Sequence, residues 1–210
     1  ITDNPCNLGV FGSLLPEFVQ DIDDTNTVNG KPVIYWVNEH DRTVPFDAGY
    51  VALVNCTNIT VQNLTLTSNG QGVLLASTTE SVITQNNITD NIHGVFMCGS
   101  TNNTVYGNNI TRNAANGVYL YYSHDNTFIH NNFVDNTIQV YDVGEPTNTW
   151  DNGTTGNFWS NYNGTDNDGD GVGDTPYVFD KNNQDNYPLV EPAVIPEFPS
   201  WAILPLVLAV

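Results

Sequence analysis

The sequence predicts an all-β protein built as a parallel β-helix, a solenoid whose coils are about 22 residues long. Three observations support this fold class. A short pattern recurs at a nearly constant spacing, as is typical of repeat architectures. The apolar residues are largely β-branched and show no helical periodicity over ten or more residues. Asn or Gly residues, which favour tight turns, separate the short apolar runs.

The repeat is clearest in three nearly identical segments, residues 81–91, 103–113 and 126–136, and a weaker copy lies at residues 59–69. An antiparallel β-sandwich with Asn-rich turns is the alternative, but a sandwich has no reason to keep a constant register. The last residues of the four segments are 22, 22 and 23 residues apart: Asn69, Asn91, Asn113 and Asn136.

Stacking of such coils should place equivalent residues directly above one another. We therefore expect an inward-facing ladder of Asn side chains, whose amides bond from coil to coil as they do in cross-β structures. An apolar column should run beside the ladder and form the core. The aligned residues are Asn86, Asn108 and Asn131 in the ladder, and Ile88, Ile110 and Phe133 in the core.

The Asn-Asn-Ile-Thr segments followed by Gly-Val, as in residues 86–95, resemble the right-handed parallel β-helix repeats of NosD-type proteins. That group contains periplasmic copper-binding proteins and carbohydrate-binding or sugar-hydrolase proteins, and is abundant on archaeal cell surfaces. Residues 157–162 and 166–177 also resemble the C-terminal part of archaeal members. The resemblance covers most of residues 1–192. It implies a right-handed solenoid on the cell surface, but it does not specify a function, because one fold serves many functions.

The regular coils do not extend over the whole chain, and we divide it into three regions. Residues 1–147 should form the β-helix, with an insertion at about residues 13–50, where the period is lost. Residues 148–191 should form a cap rich in Asn and Asp, and residues 192–210 a Pro-rich linker with an apolar tail. The length of 210 residues is compatible with one elongated domain.

The chain is strongly acidic, with 23 acidic residues, 4 basic residues and a net charge of −19. This balance argues against a nucleic-acid partner, since phosphate binding needs cations, and it favours the binding of cations. Eight Asn-X-Ser/Thr sequons indicate an exported glycoprotein located outside the cell. The predicted glycosylation sites are Asn55, Asn58, Asn102, Asn152 and Asn163.

Residues 166–174 carry the clearest chemical signal. Their alternating carboxylates, with Gly171 at the sharp turn, match the first nine positions of an EF-hand-type calcium loop. The twelfth position is Tyr177 instead of Glu, and the flanks are not helical, so the loop resembles those of dockerins and thrombospondin-type repeats. We predict Ca²⁺ as the cofactor, with a structural role; the alternative is an acidic turn without an ion. The predicted ligands are Asp166, Asp168, Asp170, the carbonyl of Val172, and Asp174.

The two ends of the chain suggest self-assembly. Residues 1–4 repeat residues 88–91, so the first residue should lie inside a coil and leave an open sheet edge. Residues 196–198 and the apolar run after them resemble the PEF-type sorting tail of archaeal surface proteins, but ten residues cannot cross a bilayer, which needs about 20. We predict that the tail adds as a strand to a neighbouring subunit, giving a head-to-tail homo-oligomer or filament. The assembly residues are Trp201, Ile203, Leu204, Leu206, Val207 and Leu208.

The predicted function is a non-catalytic, calcium-stabilised structural protein of the cell surface. The alternative is a carbohydrate-binding or polysaccharide-active β-helix protein, a lyase or hydrolase, with surface glycans as partners. In that case Tyr119 and Tyr121 should present rings for sugar stacking on one face; the favoured interpretation is that these rings pack at the edge of the last coils.

No catalytic residues are assigned, since no cation lies beside an acidic pair in the repeat. Asp90, Arg112 and Asp135 align in successive coils and could form a site, but we interpret this column as an ion-pair ladder. Copper delivery is disfavoured by the single Met and the absence of a His-X-His pair. The three cysteines allow a Cys6–Cys56 disulfide or buried free thiols.

Overall fold

The computed structural model describes residues 1–144 and 147–195. This part of the chain is nearly all β, with a single four-residue helix, and contains no helix long and apolar enough to cross a membrane. The elements are α1 (Leu15–Phe18), β1 (Thr27–Val28), β2 (Lys31–Val37), β3 (His40–Thr43), β4 (Tyr50–Val54), β5 (Thr57–Gln62), β6 (Thr65–Thr67), β7 (Gln71–Ala76), β8 (Val82–Thr84), β9 (Asn87–Thr89), β10 (His93–Cys98), β11 (Thr104–Tyr106), β12 (Asn109–Thr111), β13 (Asn116–Tyr121), β14 (Thr127–Ile129), β15 (Asn132–Val134), β16 (Ile138–Val143), β17 (Phe158–Trp159), β18 (Tyr177–Val178) and β19 (Gln184–Asp185).

The strands form three long sheets, and the four coils that begin at β4, β7, β10 and β13 each contribute one strand to each sheet. The first coil contributes only β2 and β3, and the last only β16 and β17. Sheet 1 has the order β1-β2-β4-β7-β10-β13-β16, sheet 2 the order β14-β11-β8-β5-β3, and sheet 3 the order β17-β15-β12-β9-β6. Neighbouring coils pair in parallel and in register, so that Val73, Val95, Val118 and Val140 lie in one column. The predicted fold class, a parallel β-helix with coils of about 22 residues, is confirmed.

The corners of the coils are held by residues with left-handed backbone conformation. One corner column consists of Asn63, Gln85, Gly107 and His130, with φ values of 58°, 56°, 63° and 56°. Gly and Asn adopt this conformation readily, whereas Gln and His pay a local cost that the repeated packing of the coils must offset. The Asn- and Gly-rich composition of the repeat is therefore explained in part by its corners.

The asparagine ladder runs inside the solenoid, as predicted. The Nδ2 of Asn86 donates to Oδ1 of Asn108, that of Asn108 to Asn131, and that of Asn131 to Asn157, each at 3.0 Å. Each Oδ1 also accepts the backbone N–H of the preceding asparagine, as Asn108 does from Asn86 at 2.9 Å. These buried amides are thus satisfied by one another and by the backbone, which fixes the register of the coils.

The first coil is shorter than the others and was not predicted. Strand β2 pairs in parallel with β4, with Ile34 opposite Val51, and β3 pairs with β5, so residues 31–43 belong to the solenoid instead of an insertion. Ile34 and Val51 are 17 residues apart, which a search for a 22-residue period does not detect. At the N-terminal end, the segment that precedes the sheets is therefore confined to residues 1–26.

We call residues 1–26 the N-terminal arm. The prediction that the chain begins inside a coil is wrong, because the arm crosses the outer side of sheet 1. Val10 donates its N–H to Oε1 of Gln71 at 3.2 Å and accepts from Nε2 of Gln71 at 3.1 Å. Phe18 is fully buried, and its carbonyl accepts a hydrogen bond from the hydroxyl of Tyr35. The arm does not belong to the repeat. Its apolar side chains cover the outer face of the first coils.

The C-terminal end of the solenoid is closed by aromatic side chains. Trp150 stacks on Phe128 and Trp159 stacks on Phe133, each with ring centroids 4.3 Å apart. The buried carboxylate of Asp185 accepts hydrogen bonds from Nε1 of Trp159 at 2.9 Å and from the backbone N–H of Asn157 at 2.7 Å. We call residues 147–195 the cap. They cover the last core residues, which would otherwise be exposed to water.

Candidate functional site

The outer side of sheet 1 carries aromatic rings on its last strands. Tyr119 of β13 and Tyr141 of β16 are register partners, and their ring centroids are 5.3 Å apart. Phe96 of β10 precedes them in the same column, 4.9 Å from Tyr119. Tyr141 is 47% exposed. We call this surface the aromatic face; its residues are Phe11, His93, Phe96, Tyr119, Tyr121, Tyr122 and Tyr141.

Strand alternation places these rings. In β13, Val118 and Leu120 are fully buried in the core, so Tyr119 and Tyr121 point to the opposite side of the sheet. The two tyrosines therefore share one face, as the sequence analysis expected. Tyr122 follows at a left-handed corner with φ of 48° and packs edge-on against Tyr121, at a centroid distance of 4.8 Å.

A recess of about 290 Å³ lies where the arm meets the aromatic face. Leu14 and Leu15 of the arm form one wall, and Cys98, Tyr121 and Tyr122 form the other. Ser and Gly residues complete the recess, and among the described residues that line it there is no acidic or basic side chain. The recess therefore suits the apolar and hydroxylated parts of a ligand.

The electrostatics of the aromatic face favour its neutral state. Burial lowers the pKa of His93, whose ring lies 5.3 Å from Tyr119 and 6.0 Å from Phe11. Burial raises the pKa of the Tyr119 hydroxyl, and the neighbouring Tyr141 raises it further. Near neutral pH the imidazole is therefore uncharged and the phenol keeps its proton. The face offers ring surfaces and hydroxyl groups but no formal charge of its own.

The acidic loop brings together three of its five predicted metal ligands. The carboxylates of Asp166, Asp168 and Asp170 place one oxygen each within 4.8 Å of the others. Asp174 bonds within the loop instead, accepting from the backbone N–H of Asn167 at 3.0 Å, while the N–H of Val172 donates to Asp170 at 2.8 Å. Backbone N–H groups, that of Gly171 first, hold the pKa of Asp166 below its usual value. Hydrogen bonds from the backbone amides of the loop thus stabilise part of the negative charge of its carboxylates.

The remaining predicted sites are dispersed over the surface. All three cysteines are free, so the disulfide between Cys6 and Cys56 does not form. The five predicted glycosylation sites are exposed, and their occupancy stays a prediction: Asn55, Asn58, Asn102, Asn152 and Asn163. The predicted assembly residues lie outside the described residues: Trp201, Ile203, Leu204, Leu206, Val207 and Leu208.

A family model matches residues 25–164, which are 140 of the 210 residues: NosD, described as periplasmic copper-binding protein. The chain belongs to the NosD family. No curated protein matches the sequence. The matched range begins just before β1 and ends after β17, so the coils carry the family's features and most of the N-terminal arm lies outside them. A periplasmic protein and an extracellular protein are both exported, so the family description agrees with the predicted location to that extent.

The prediction of Ca²⁺ as the cofactor is wrong, because the metal named in the NosD description is copper. The prediction depended on the spacing of the aspartates in residues 166–174. Such hard oxygen ligands suit Ca²⁺, but their spacing says nothing about the metal that a family uses. Copper favours imidazole and sulfur ligands instead.

The described residues do not fit a copper site of that kind. Among them, the Asp166, Asp168 and Asp170 cluster is the one group of three or more His, Cys, Asp or Glu side chains that could share an ion. His124 pairs with the adjacent aspartate, and the only methionine of the sequence, Met97, is buried in the core. We therefore derive no function of this NosD protein through copper.

One unusual residue escaped the sequence analysis. Asp142 is the register partner of Leu120, in an inward column that otherwise contains Leu53, Leu75 and Met97. Burial, together with the charge of Asp180, raises the pKa of Asp142 to about 7, and Asn183 of the cap donates to its carboxylate at 3.2 Å. Aligning the repeats residue by residue would have shown a carboxylate at a core position.

Proposed function

We propose that this NosD protein is an exported, non-catalytic glycan-binding protein and that the aromatic face binds the glycan. The supporting observation is the pair of in-register rings of Tyr119 and Tyr141, 5.3 Å apart, on an uncovered sheet surface. Sugars present an apolar C–H face that packs on aromatic rings, while tyrosine hydroxyls bond to sugar hydroxyls. Since neighbouring coils are about 4.8 Å apart, a saccharide lying across the last two strands would meet the ring of Tyr119 on one coil and that of Tyr141 on the next.

Binding fits the geometry better than catalysis. A glycosidase needs two positioned carboxylates, and the recess beside the aromatic face is lined by none among the described residues. Two arginines that could serve a lyase are engaged elsewhere. Arg112 forms an ion pair with Asp90 at 2.8 Å, and Arg42 forms one with Glu39 at 2.8 Å.

The overall charge narrows the class of glycan. A molecule with a net charge of −19 repels polyanions at moderate ionic strength. We therefore expect neutral or cationic glycans to bind and acidic ones, such as polygalacturonate, to bind poorly. Head-to-tail assembly stays a separate prediction, since it depends on the tail beyond residue 195, and glycan binding does not require it.

Affinity electrophoresis tests the proposal. The wild-type protein is run through gels that contain glucomannan, hydroxyethylcellulose or polygalacturonate, beside the variants Tyr119→Ala, Tyr141→Ala and Tyr106→Ala. Tyr106 is a matched control, because it is 46% exposed but lies on β11 of sheet 2. We expect a neutral polymer to retard the wild type and the control, with affinity about tenfold lower for Tyr141→Ala, since an aromatic contact contributes about 1 kcal/mol.

Two outcomes would contradict the proposal. If none of the three polymers retards the wild type, the protein does not bind these glycans. If Tyr106→Ala and Tyr141→Ala reduce retardation equally, binding does not involve the aromatic face.

A further inference from the structure

A second, polar cleft opens at the C-terminal end of the solenoid, between the last coil and the cap. It has a volume of about 520 Å³, within the range of about 300–1,000 Å³ that ligand sites occupy. Residues 135–140 form one wall, and Ser160, Asn161, Tyr177 and Phe179 of the cap form the other. We call it the end cleft.

The end cleft exists because the last coil is incomplete. Strand β16 is the final strand of sheet 1, and among the described residues no further strand pairs with it. After β17 the chain turns away into the acidic loop instead of returning to sheet 1. Gln139 spans the gap, with its Nε2 donating to Oγ of Ser160 at 3.2 Å and to Oδ1 of Asn161 at 3.3 Å.

The hydrogen bonds across the end cleft leave specific groups available. The backbone N–H of Asp135 donates to Oγ of Ser160 at 3.0 Å, and the hydroxyl of Tyr177 donates to Oδ1 of Asn161 at 3.0 Å. The acceptors of Ser160 and Asn161 are thus engaged, whereas Nδ2 of Asn161 makes no bond among the described residues. The exposed carboxylate of Asp135 likewise forms no hydrogen bond or ion pair with them; it interacts with Arg112 electrostatically, while that guanidinium is paired with Asp90.

The aromatic wall of the end cleft is supported by stacking on Trp159. Tyr177 stacks on Trp159 with ring centroids 4.5 Å apart, and Phe179 lies 6.1 Å from Tyr177. A ligand in the end cleft would therefore meet an aromatic surface, an amide donor and one carboxylate. A cationic ammonium group can donate a charge-assisted hydrogen bond to a carboxylate that accepts none from the protein, and it is attracted to aromatic faces.

We propose that the end cleft binds an amino-sugar unit, with its ammonium group on Asp135, its ring against Tyr177 and a hydroxyl accepting from Asn161. The assignment of a sugar depends on the proposed glycan-binding function; the assignment of the amine depends on the end cleft alone. The net charge of −19 also raises the local concentration of cationic ligands. The aromatic face would then hold the body of a glycan, and the end cleft would select a unit with a free amine.

A matched pair of trisaccharides tests this inference. Isothermal titration at about pH 6 compares β-1,4-linked glucosamine trimer, whose amines are protonated, with its fully N-acetylated counterpart. Asp135→Asn removes the charge and suits the left-handed conformation at this position, where φ is 54°. Asp47→Asn removes one exposed charge from the loop before β4, at the other end of the solenoid. Asn161→Ala is the second variant of the end cleft.

We expect the wild type to bind the glucosamine trimer at least tenfold more tightly than the acetylated trimer. Asp135→Asn should abolish this preference. Asn161→Ala should weaken the binding of both trimers severalfold, and the affinities of Asp47→Asn should stay within twofold of those of the wild type. The inference is overturned if the wild type shows no preference, if Asp135→Asn keeps it, or if Asp47→Asn reduces it equally.

The two proposals fail in different ways. If Tyr119→Ala and Tyr141→Ala leave polymer retardation unchanged while Asp135→Asn abolishes the trimer preference, the aromatic face is excluded and the end cleft stands. If the tyrosine variants lose retardation but the wild type does not distinguish the trimers, the aromatic face stands and the end cleft is excluded.

Discussion

The outer side of sheet 1 has a covered half and an uncovered half that share one register column. In the first coils the arm buries the column, so that Leu74 is inaccessible to solvent, whereas in the last coils Tyr141 is 47% exposed. The same apolar face thus contributes to stability where the arm lies on it and is free for a ligand where the arm ends. The column consists of Tyr35, Ala52, Leu74, Phe96, Tyr119 and Tyr141.

Phe18→Ala should have the largest effect, because it disrupts the covered half. Phe18 is fully buried against Phe96 and the first strands, and removing such a ring costs about 3–5 kcal/mol. We expect the free energy of unfolding, measured by urea titration, to fall by this amount.

Thiol labelling reports whether the arm itself is released. Cys98 is buried, its Sγ is 3.7 Å from the carbonyl oxygen of Ser13 of the arm, and burial raises its pKa, so the wild-type thiol should react slowly. Exposed Cys6 serves as the internal control. Unchanged labelling of Cys98 in Phe18→Ala would show that the arm does not depend on this ring.

Asp142→Asn should have an intermediate effect, at the uncovered end. The folded protein raises the pKa of Asp142 from 3.8 to about 7, so it favours the protonated carboxyl. The stability from this group is therefore complete below about pH 4 and is lost as the pH rises towards 7. Allowing for partial solvent screening, we expect the variant to exceed the wild type by on the order of 2 kcal/mol at pH 8.

Urea midpoints from pH 5 to pH 8 check this expectation. Burial also raises the pKa of Asp185, and this gives the same pH trend in the wild type and in Asp142→Asn. The difference between the two proteins in the slope of urea midpoint against pH therefore isolates the effect of Asp142. Asp180 and Asn183 are the cap groups that face it, and both are kept in the comparison. Identical slopes in variant and wild type would show that Asp142 does not titrate in the folded state.

Tyr141→Ala should change stability least, by less than about 1 kcal/mol, as is usual for an exposed side chain. Its expected effect is on polysaccharide retardation instead. The same urea titration as for Phe18→Ala provides the measurement. A loss of stability as large as that of Phe18→Ala would mean that the uncovered rings are structural and would remove the contrast between the two halves.

The regular part of this molecule could be predicted from sequence because its contacts repeat at a visible period. The ladder of Asn86, Asn108 and Asn131 and the shared face of Tyr119 and Tyr121 follow from stacking and strand alternation alone. The first coil was missed since its 17-residue spacing differs from the others.

Contacts outside the repeat could not be predicted in this way. The bonds between Val10 and Gln71 join residues 61 positions apart, and no periodicity indicates them. The end cleft likewise depends on where the cap turns away from sheet 1. The metal was misjudged because residues 166–174 show a ligand pattern, whereas the identity of a metal depends on the complete coordination sphere.

The asparagine ladder has an electrical consequence. Each Nδ2 from Asn86 to Asn131 donates one hydrogen to the next asparagine towards the cap and the other to a carbonyl of the preceding coil. Each Oδ1 of Asn108, Asn131 and Asn157 faces the preceding coil, where it accepts a backbone N–H, so the side-chain amides share one orientation and their dipoles add along the solenoid axis. The positive end of this array lies at Asn157, where the Asp185 carboxylate accepts its backbone N–H. The positive end of the array favours negative charge at the cap, just as the N-terminus of a helix favours an anion. The solenoid is therefore polarised from end to end, and its cap places a carboxylate at the end that attracts it.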